Sequence, residues 1–259
     1  MAALAATLVL AQPVSGAESF AWVYAGHSVQ ADAASNRPFP AMLQLTADGR
    51  AVDVASFAER YSCPSGDTFT DRITLTGMPV RSDGTWGKTR KFSGGVTVAI
   101  SGKLTGATAT FQVTSSDDEG CRARTAYSLT RGPTSYGGNA SNDYPVSVRL
   151  STSRSEIAEL TLFLSATCRD PKGERVEYRA PAQLTAIPVR KGAFARTGAY
   201  RYAFRGSGAI VTVSWTLRGT VGERRTSGSL GYVVSAVFKD GEKVFQGCRS
   251  SMSWKATTA

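Results

Sequence analysis

The chain has 259 residues, 42% of them hydrophobic and 19% charged, with a formal net charge of +10 and a single histidine. This composition allows a packed core and excludes general disorder, and the length suits one large domain or two of about 100–150 residues. No apolar run reaches the roughly 20 residues of a helical membrane span, and one histidine with four scattered cysteines leaves little from which to build a metal centre.

The first element is MAALAATLVLAQPVSGAES, short and apolar, with Ser15 and Ala17 in the small-residue pattern of a signal peptidase site. Residues 1–17 are expected to be a secretory signal, with a buried first strand as the alternative. No Lys or Arg precedes Arg37, so the basic n-region is missing and a true start further upstream is part of the expectation. The mature protein is then expected to be secreted or cell-surface.

From Pro40 the chain reads PAMLQLTADGRAVDVASFAERYSC, and from Pro145 it reads PVSVRLSTSRSEIAELTLFLSATC. The two align without a gap, with apolar positions coinciding at Leu43/Val148, Leu45/Leu150, Val52/Ile157 and Phe57/Leu162. LTGMPVR at Leu75 returns as LTAIPVR at Leu184, DGTW is matched by KGAF (Trp86 with Phe194), and GKLTG at Gly102 is echoed by TLRG at Thr216. Each half closes with a cysteine followed six residues later by an aromatic, Cys121 with Tyr127 and Cys248 with Trp254. So long a period is not that of a solenoid; it indicates tandem duplication of a small domain. Residues 18–131 and 132–259 are expected to be the two copies, joined by the Gly/Ser/Asn-rich RGPTSYGGNASND, and the second copy is expected to fold alone.

Four cysteines allow three pairings. The repeat selects Cys63–Cys121 and Cys168–Cys248, one bridge per half, as befits an exported protein; reactive thiols are the alternative. Within the halves, VSVRLS, ATFQV, AIVTVSWTL and YVVSAVF alternate apolar and polar residues with a period of two, the mark of half-buried strands. Asp48-Gly49, Asp83-Gly84 and Asp240-Gly241 are turn signals, and no long window has helical periodicity with caps. The expected fold is all-β: two tandem antiparallel β-sandwich domains of jelly-roll or immunoglobulin-like type. Pro79 and Pro188 cannot donate to a ladder, which places the repeated phrase on an edge strand or at a bulge.

The order of these signals resembles a module of exported Gram-positive, especially actinobacterial, proteins. YAGHSVQ at Tyr24 stands for its opening element, MPVRSDGTW and IPVRKGAF for its central phrase, and CRSSMSWKA at Cys248 for its end. Tyr127 replaces the expected Trp in the first copy, and YGGNAS replaces the full opening element in the second. The resemblance implies a secreted, disulfide-containing β module and no particular activity.

Catalytic signatures are sparse. His27 has Gly26 and Ser28 beside it but no G-x-S-x-G elbow and no evident third member of a triad, so an interface or surface role is expected. Asp117, Asp118 and Glu119 lack calcium-loop spacing and are expected to be a solvated loop. No cofactor and no metal is expected. Charge is the stronger signal: residues 18–131 hold 12 Lys+Arg against 11 Asp+Glu, whereas residues 132–259 hold 18 against 9. Arg190, Lys191, Arg196, Arg201 and Arg205 crowd one segment, with Tyr200, Tyr202 and Phe204 expected inward and Arg201 and Arg205 outward. These five residues are the candidate polyanion-binding stripe, a solubilising face being the alternative.

The expected function is therefore a non-enzymatic exported binding module. Its partner would be an anionic cell-surface or extracellular polymer: teichoic acid, acidic polysaccharide, lipid headgroups or DNA. The alternatives are an inhibitor or effector of another protein, and a carboxylate-dependent polysaccharide-active enzyme.

Overall fold

The computed structural model describes residues 22–204, 208–238 and 240–258. The expected signal segment, residues 1–17, lies outside the described residues. The first eight strands are β1 Val23–Ala31, β2 Pro38–Leu45, β3 Ala51–Ser62, β4 Thr68–Pro79, β5 Thr85–Lys91, β6 Thr97–Thr105, β7 Thr108–Ser116 and β8 Arg122–Thr130. The next eight are β9 Ser135–Ala140, β10 Pro145–Leu150, β11 Glu156–Arg169, β12 Arg175–Arg190, β13 Ala193–Ala203, β14 Ile210–Val221, β15 Arg225–Val237 and β16 Lys243–Thr257. All pairings are antiparallel, so the all-β expectation is met.

The expected sandwich is replaced by an up-and-down meander. β1–β8 form one sheet in the order β4-β3-β2-β1-β8-β7-β6-β5, and β9–β16 form a closed barrel. Alternating strands and turn signals are common to both architectures; what separates them is whether the first strand of a half meets its last, which is a long-range property. In each half it does, β1 on β8 and β9 on β16. The expected linker also shrinks, because Ser135–Ala140 is strand β9.

Two glycines make those closures possible. A Cβ on Gly26 would lie 2.3 Å from the Ser128 carbonyl oxygen, and one on Gly138 would lie 1.9 Å from that of Lys255. The aromatic before each points the same way: Tyr24 donates its hydroxyl to the Gly106 carbonyl at 2.9 Å and Tyr136 to that of Gly222 at 3.1 Å. The aromatic-x-Gly element is thus a closure device, with the glycine letting two backbones meet and the tyrosine pinning the β6–β7 or β14–β15 turn.

The repeated phrase marks a split seam. β4 and β5 do not pair, and β12 pairs with β13 only at Val189↔Phe194 and Arg190↔Ala193. Gly77 and Ala186 take left-handed φ of 66° and 55° just before the bend into Pro79 and Pro188. A cation crosses each gap: Lys88 Nζ donates to the Thr76 carbonyl at 2.8 Å, and Arg196 donates to the carbonyls of Thr185, at 3.0 Å, and Ala186.

Both expected disulfides are present, Cys63–Cys121 and Cys168–Cys248. β9 and β10 are only 6 residues each, whereas β11 and β16 have 14 and 15. The long strands outrun the short ones between them, and the bridge joins them at that end. In the first half Ser62↔Arg122 pairs β3 directly with β8 beside the other bridge.

Two apolar cores fill the halves, and the first is not confined to its own strands. Tyr144 and Phe163 of the second half belong to it, with Phe163 stacked between Tyr144, at 4.2 Å between ring centres, and Phe39, at 6.4 Å. The outer faces of β1–β3 and β10–β12 therefore pack together.

Candidate functional site

The only histidine lies in that packed face. His27 Nε2 is 2.9 Å from Glu159 Oε1, and its Nδ1 is 2.8 Å from the Ser28 carbonyl oxygen. Two acceptors at two ring nitrogens suit the imidazolium. Glu159 also accepts from Arg149 at 2.8 Å, Gln183 at 3.0 Å and Thr161 at 3.1 Å. Burial works to raise the Glu159 carboxyl, but the bonds from His27, Arg149 and Gln183 outweigh it and hold the group well below the usual carboxylate range. The bond to Glu159 raises His27 above its ordinary value, against the opposing effect of burial.

Beside this cluster the loop between β1 and β2 reaches the split seam of the second barrel. Asp32 accepts from the Ser35 backbone N–H and hydroxyl, at 2.9 and 2.7 Å, which shapes the loop. Arg60 Nε lies 3.0 Å from Asp32 Oδ1. Arg37 then places its guanidinium 4.8 Å over the Tyr200 ring on β13 and donates to the Gln183 carbonyl on β12 at 3.4 Å. One side chain thereby touches both lips of the seam.

A second buried carboxylate is shifted the other way. Glu59 is fully buried in the first half; burial pushes it up to about 7, although the Ser115 hydroxyl bonds to it. His27 stabilisation is full below about pH 6.5 and is lost as pH rises through its raised value. Glu59 has the same sign: a raised carboxyl costs stability once the solution is basic enough to ionise it in the unfolded chain, and the cost is complete above about 7. The melting temperature is expected to fall between about pH 5 and 8.5, the Glu59 part below about 7 and the His27 part above about 6.5. Glu59→Gln should remove most of the fall. His27→Gln should remove the smaller part, about 0.5 kcal/mol, since the imidazole is 34% exposed and partly screened. A flat wild-type profile over that range in a thermal-melt series would contradict both assignments.

The candidate basic stripe is not one surface. Arg190 and Lys191 are exposed at the β12–β13 hairpin. Arg196 is committed to the seam carbonyls. Arg201 is exposed on the outer face of β13, opposite Thr212. Eight residues separate Ala193 beside Arg190 from Arg201, about 26 Å of extended strand. Arg205 lies outside the described residues. Tyr200, Tyr202 and Phe204 do pack against the core, as the alternation predicts.

What sequence reasoning missed is a surface defined by what its strands lack. β13–β16 contain seven Lys+Arg and no Asp or Glu, and β5–β8 contain six and none; the acidic residues of these regions are in turns. On the second barrel the outward rows run Ala199–Ser214–Val233–Arg249, Thr197–Thr216–Gly231–Ser251 and Ala195–Arg218–Ser229–Ser253. Two abutting grooves share Thr216 and Gly231, with Arg249 lining one and Arg218 the other. Arg218 Nε donates to Ser229 at 3.3 Å. The corresponding face of β5–β8 presents Thr85, Ser101, Lys103, Thr110, Gln112 and Thr114 in one broad groove. Hydroxyls and guanidinium groups can hold an anion from many points. These rows are also the opposite of the apolar band with which a barrel faces lipid.

The acidic loop is accounted for locally. Asp117 Oδ1 accepts from the backbone N–H of Glu119 at 3.0 Å and of Cys121 at 2.8 Å, and Cys121 is in a disulfide.

The sequence matches no protein-family model and none of the curated proteins. Two solved structures align along most of the chain. One is a putative outer membrane protein from Bacteroides fragilis, 12% identical with a TM-score of 0.26, over 93% of this chain and 98% of that one. The other is a protein with unknown function from the DUF3598 family of Nostoc punctiforme, 9% identical with a TM-score of 0.25, over 93% and 97%. Likenesses at these scores have no bearing on this chain's fold or function.

Proposed function

We propose that the protein is an exported, non-enzymatic binding module, made by tandem duplication of an eight-stranded meander, that holds an anionic polymer on its acid-free outer faces. The observation that carries the reading is the absence of any carboxylate from the strands β5–β8 and β13–β16, combined with exposed Arg201, Arg218 and Arg249 among hydroxyls. Every charged group on those strands is a cation, so phosphate or carboxylate oxygens meet no fixed repulsion there. Duplication is supported by features that recur at matching places: the closure glycine, the disulfide, and the cation across the split seam. Export is supported by the two disulfides, which persist in oxidising compartments.

The reading moves the binding residues from the segment around Arg190 to the rows around Gly231. A Cβ at Gly231 would meet nothing within 4 Å, and its φ is not left-handed, so a side chain fits there. Gly231→Asp should weaken binding to the cell-wall fraction, or to poly(glycerol phosphate), at least tenfold without lowering the melting temperature. Arg218→Ser and Arg249→Ser should each flatten the log–log salt dependence by about one unit. Arg190→Ser, at the distant hairpin, should change neither. Binding by the Gly231 variant equal to that of the parent removes this face from consideration.

A further inference from the structure

A cavity of about 460 Å3 opens at the end of the second barrel that carries its disulfide. Its volume falls in the range of small-molecule sites, roughly 300–1,000 Å3, and barrel mouths are a common place for them. The wall is apolar: Val211, Ala236 and Phe245 from the barrel, with Phe204 beside them. Tyr178 is also part of the wall, its ring 6.2 Å from Phe245 and its hydroxyl 3.0 Å from that of Tyr202. The roof comes from the first half, where Phe69, 42% exposed, stacks on Tyr61.

The rim is charged, and its charges do not cancel. Arg60 and Arg179 both line the cavity. Glu177 is shared, 2.7 Å from Arg179 and 3.6 Å from Arg175, while Asp32 faces Arg60. Among the lining residues themselves, two guanidinium groups, Arg60 and Arg179, stand against one carboxylate, Glu177; Arg175 lines the neighbouring groove. Arg60 Nε, although buried, makes no linear hydrogen bond even to Asp32. Thr68 and Thr70 add hydroxyls to the same rim.

We propose that this cavity binds a small amphiphilic anion, with an aliphatic or aromatic body against Tyr178, Val211, Ala236 and Phe245 and a single carboxylate or sulfonate head at the Arg60–Arg179 rim. The apolar wall selects the body, and the two guanidinium groups of the lining, Arg60 and Arg179, select the sign of the head. The site uses neither outer face and is independent of polymer binding. Because its roof and its walls come from different halves, it exists only in the full chain.

The test uses the intact, oxidised protein and 1-anilinonaphthalene-8-sulfonate, which has both an aromatic body and an anionic head. Fluorescence should saturate at one probe per chain, and decanoate should displace the probe at least five times more effectively than decylamine. Ala236→Phe, which fills the cavity, should weaken the probe at least tenfold while near-ultraviolet dichroism is retained. Should that variant fail to fold, Phe69→Ser on the exposed roof replaces it, with at least a threefold weakening expected. Arg179→Gln should reduce displacement by decanoate and leave that by decanol unchanged. No saturable binding to the folded chain, or binding unchanged in the folded cavity variant, overturns the site; equal displacement by decanoate and decylamine overturns the anionic head.

Discussion

Replacing Cys168 and Cys248 by serine is expected to lower the unfolding free energy by about 4 kcal/mol in the chain-entropy account of a cross-link. The bridge closes a loop of 80 residues, and its counterpart Cys63–Cys121 closes one of 58, so the first pair should be worth nearly as much. The position of each bridge adds a local consequence. β11 and β16 run beyond the ends of β9 and β10, and the bridge is the covalent tie at that end. Loss of Cys168–Cys248 should therefore also loosen the neighbouring strand ends. Urea unfolding monitored by tryptophan fluorescence measures the first effect, and amide exchange at Val176 and Phe245 the second. A loss under about 1 kcal/mol would mean that packing alone closes the barrel.

Gly138→Ala should cost about 3 kcal/mol or more, the upper end of what overpacking does. The new methyl would sit 1.9 Å from the Lys255 carbonyl oxygen and 2.7 Å from the Ala256 Cα. Both are backbone atoms of β16, which cannot turn aside as a side chain can. β9 would have to move off β16 where Gly138 pairs with Ala256, weakening the ladder from Trp254↔Ala140 to Thr257↔Gly137. Each ladder bond lost is worth about 1 kcal/mol. Gly231→Ala is the control, because a Cβ there is unobstructed, and it should be neutral or slightly stabilising. Equal stability of the two variants in urea would show that β9 is not held against β16 as described.

The strands were legible because burial on one side writes a period of two: ATFQV lies within β7, and VSVRLS and YVVSAVF lie in β10 and β15 but for their last residues, Ser151 and Phe238. The disulfide pairing was legible through the repeat, not through the cysteines themselves. Barrel closure was not, since it depends on Gly138 meeting Ala256, 118 residues later. Nor was the task of Arg196. It stands two residues after Phe194, as Lys88 stands two after Trp86, and so shares the parity of an inward residue. A cation repeated at that parity signals a strand edge without a partner, whereas composition made it look like one more surface charge. The His27–Glu159 contact joins segments that have no common pattern, and only the packed structure brings them together.

The split seam has a consequence for how the chain avoids aggregation. In the closed second barrel, β12 and β13 diverge over most of their length, which leaves main-chain donors and acceptors of the kind that recruit a strand from another molecule. Arg196 spans that gap from within its own half, but Arg37 comes from the other. The first half is made first during synthesis, so its β1–β2 loop is in place when the second barrel begins to assemble. A second half released alone, which the repeat leads one to expect to be self-sufficient, would bare Tyr144, Phe163 and Tyr200 beside an unguarded edge. The tandem order thus puts the side chain that covers the seam, Arg37, ahead in the chain of the strands whose edge it covers.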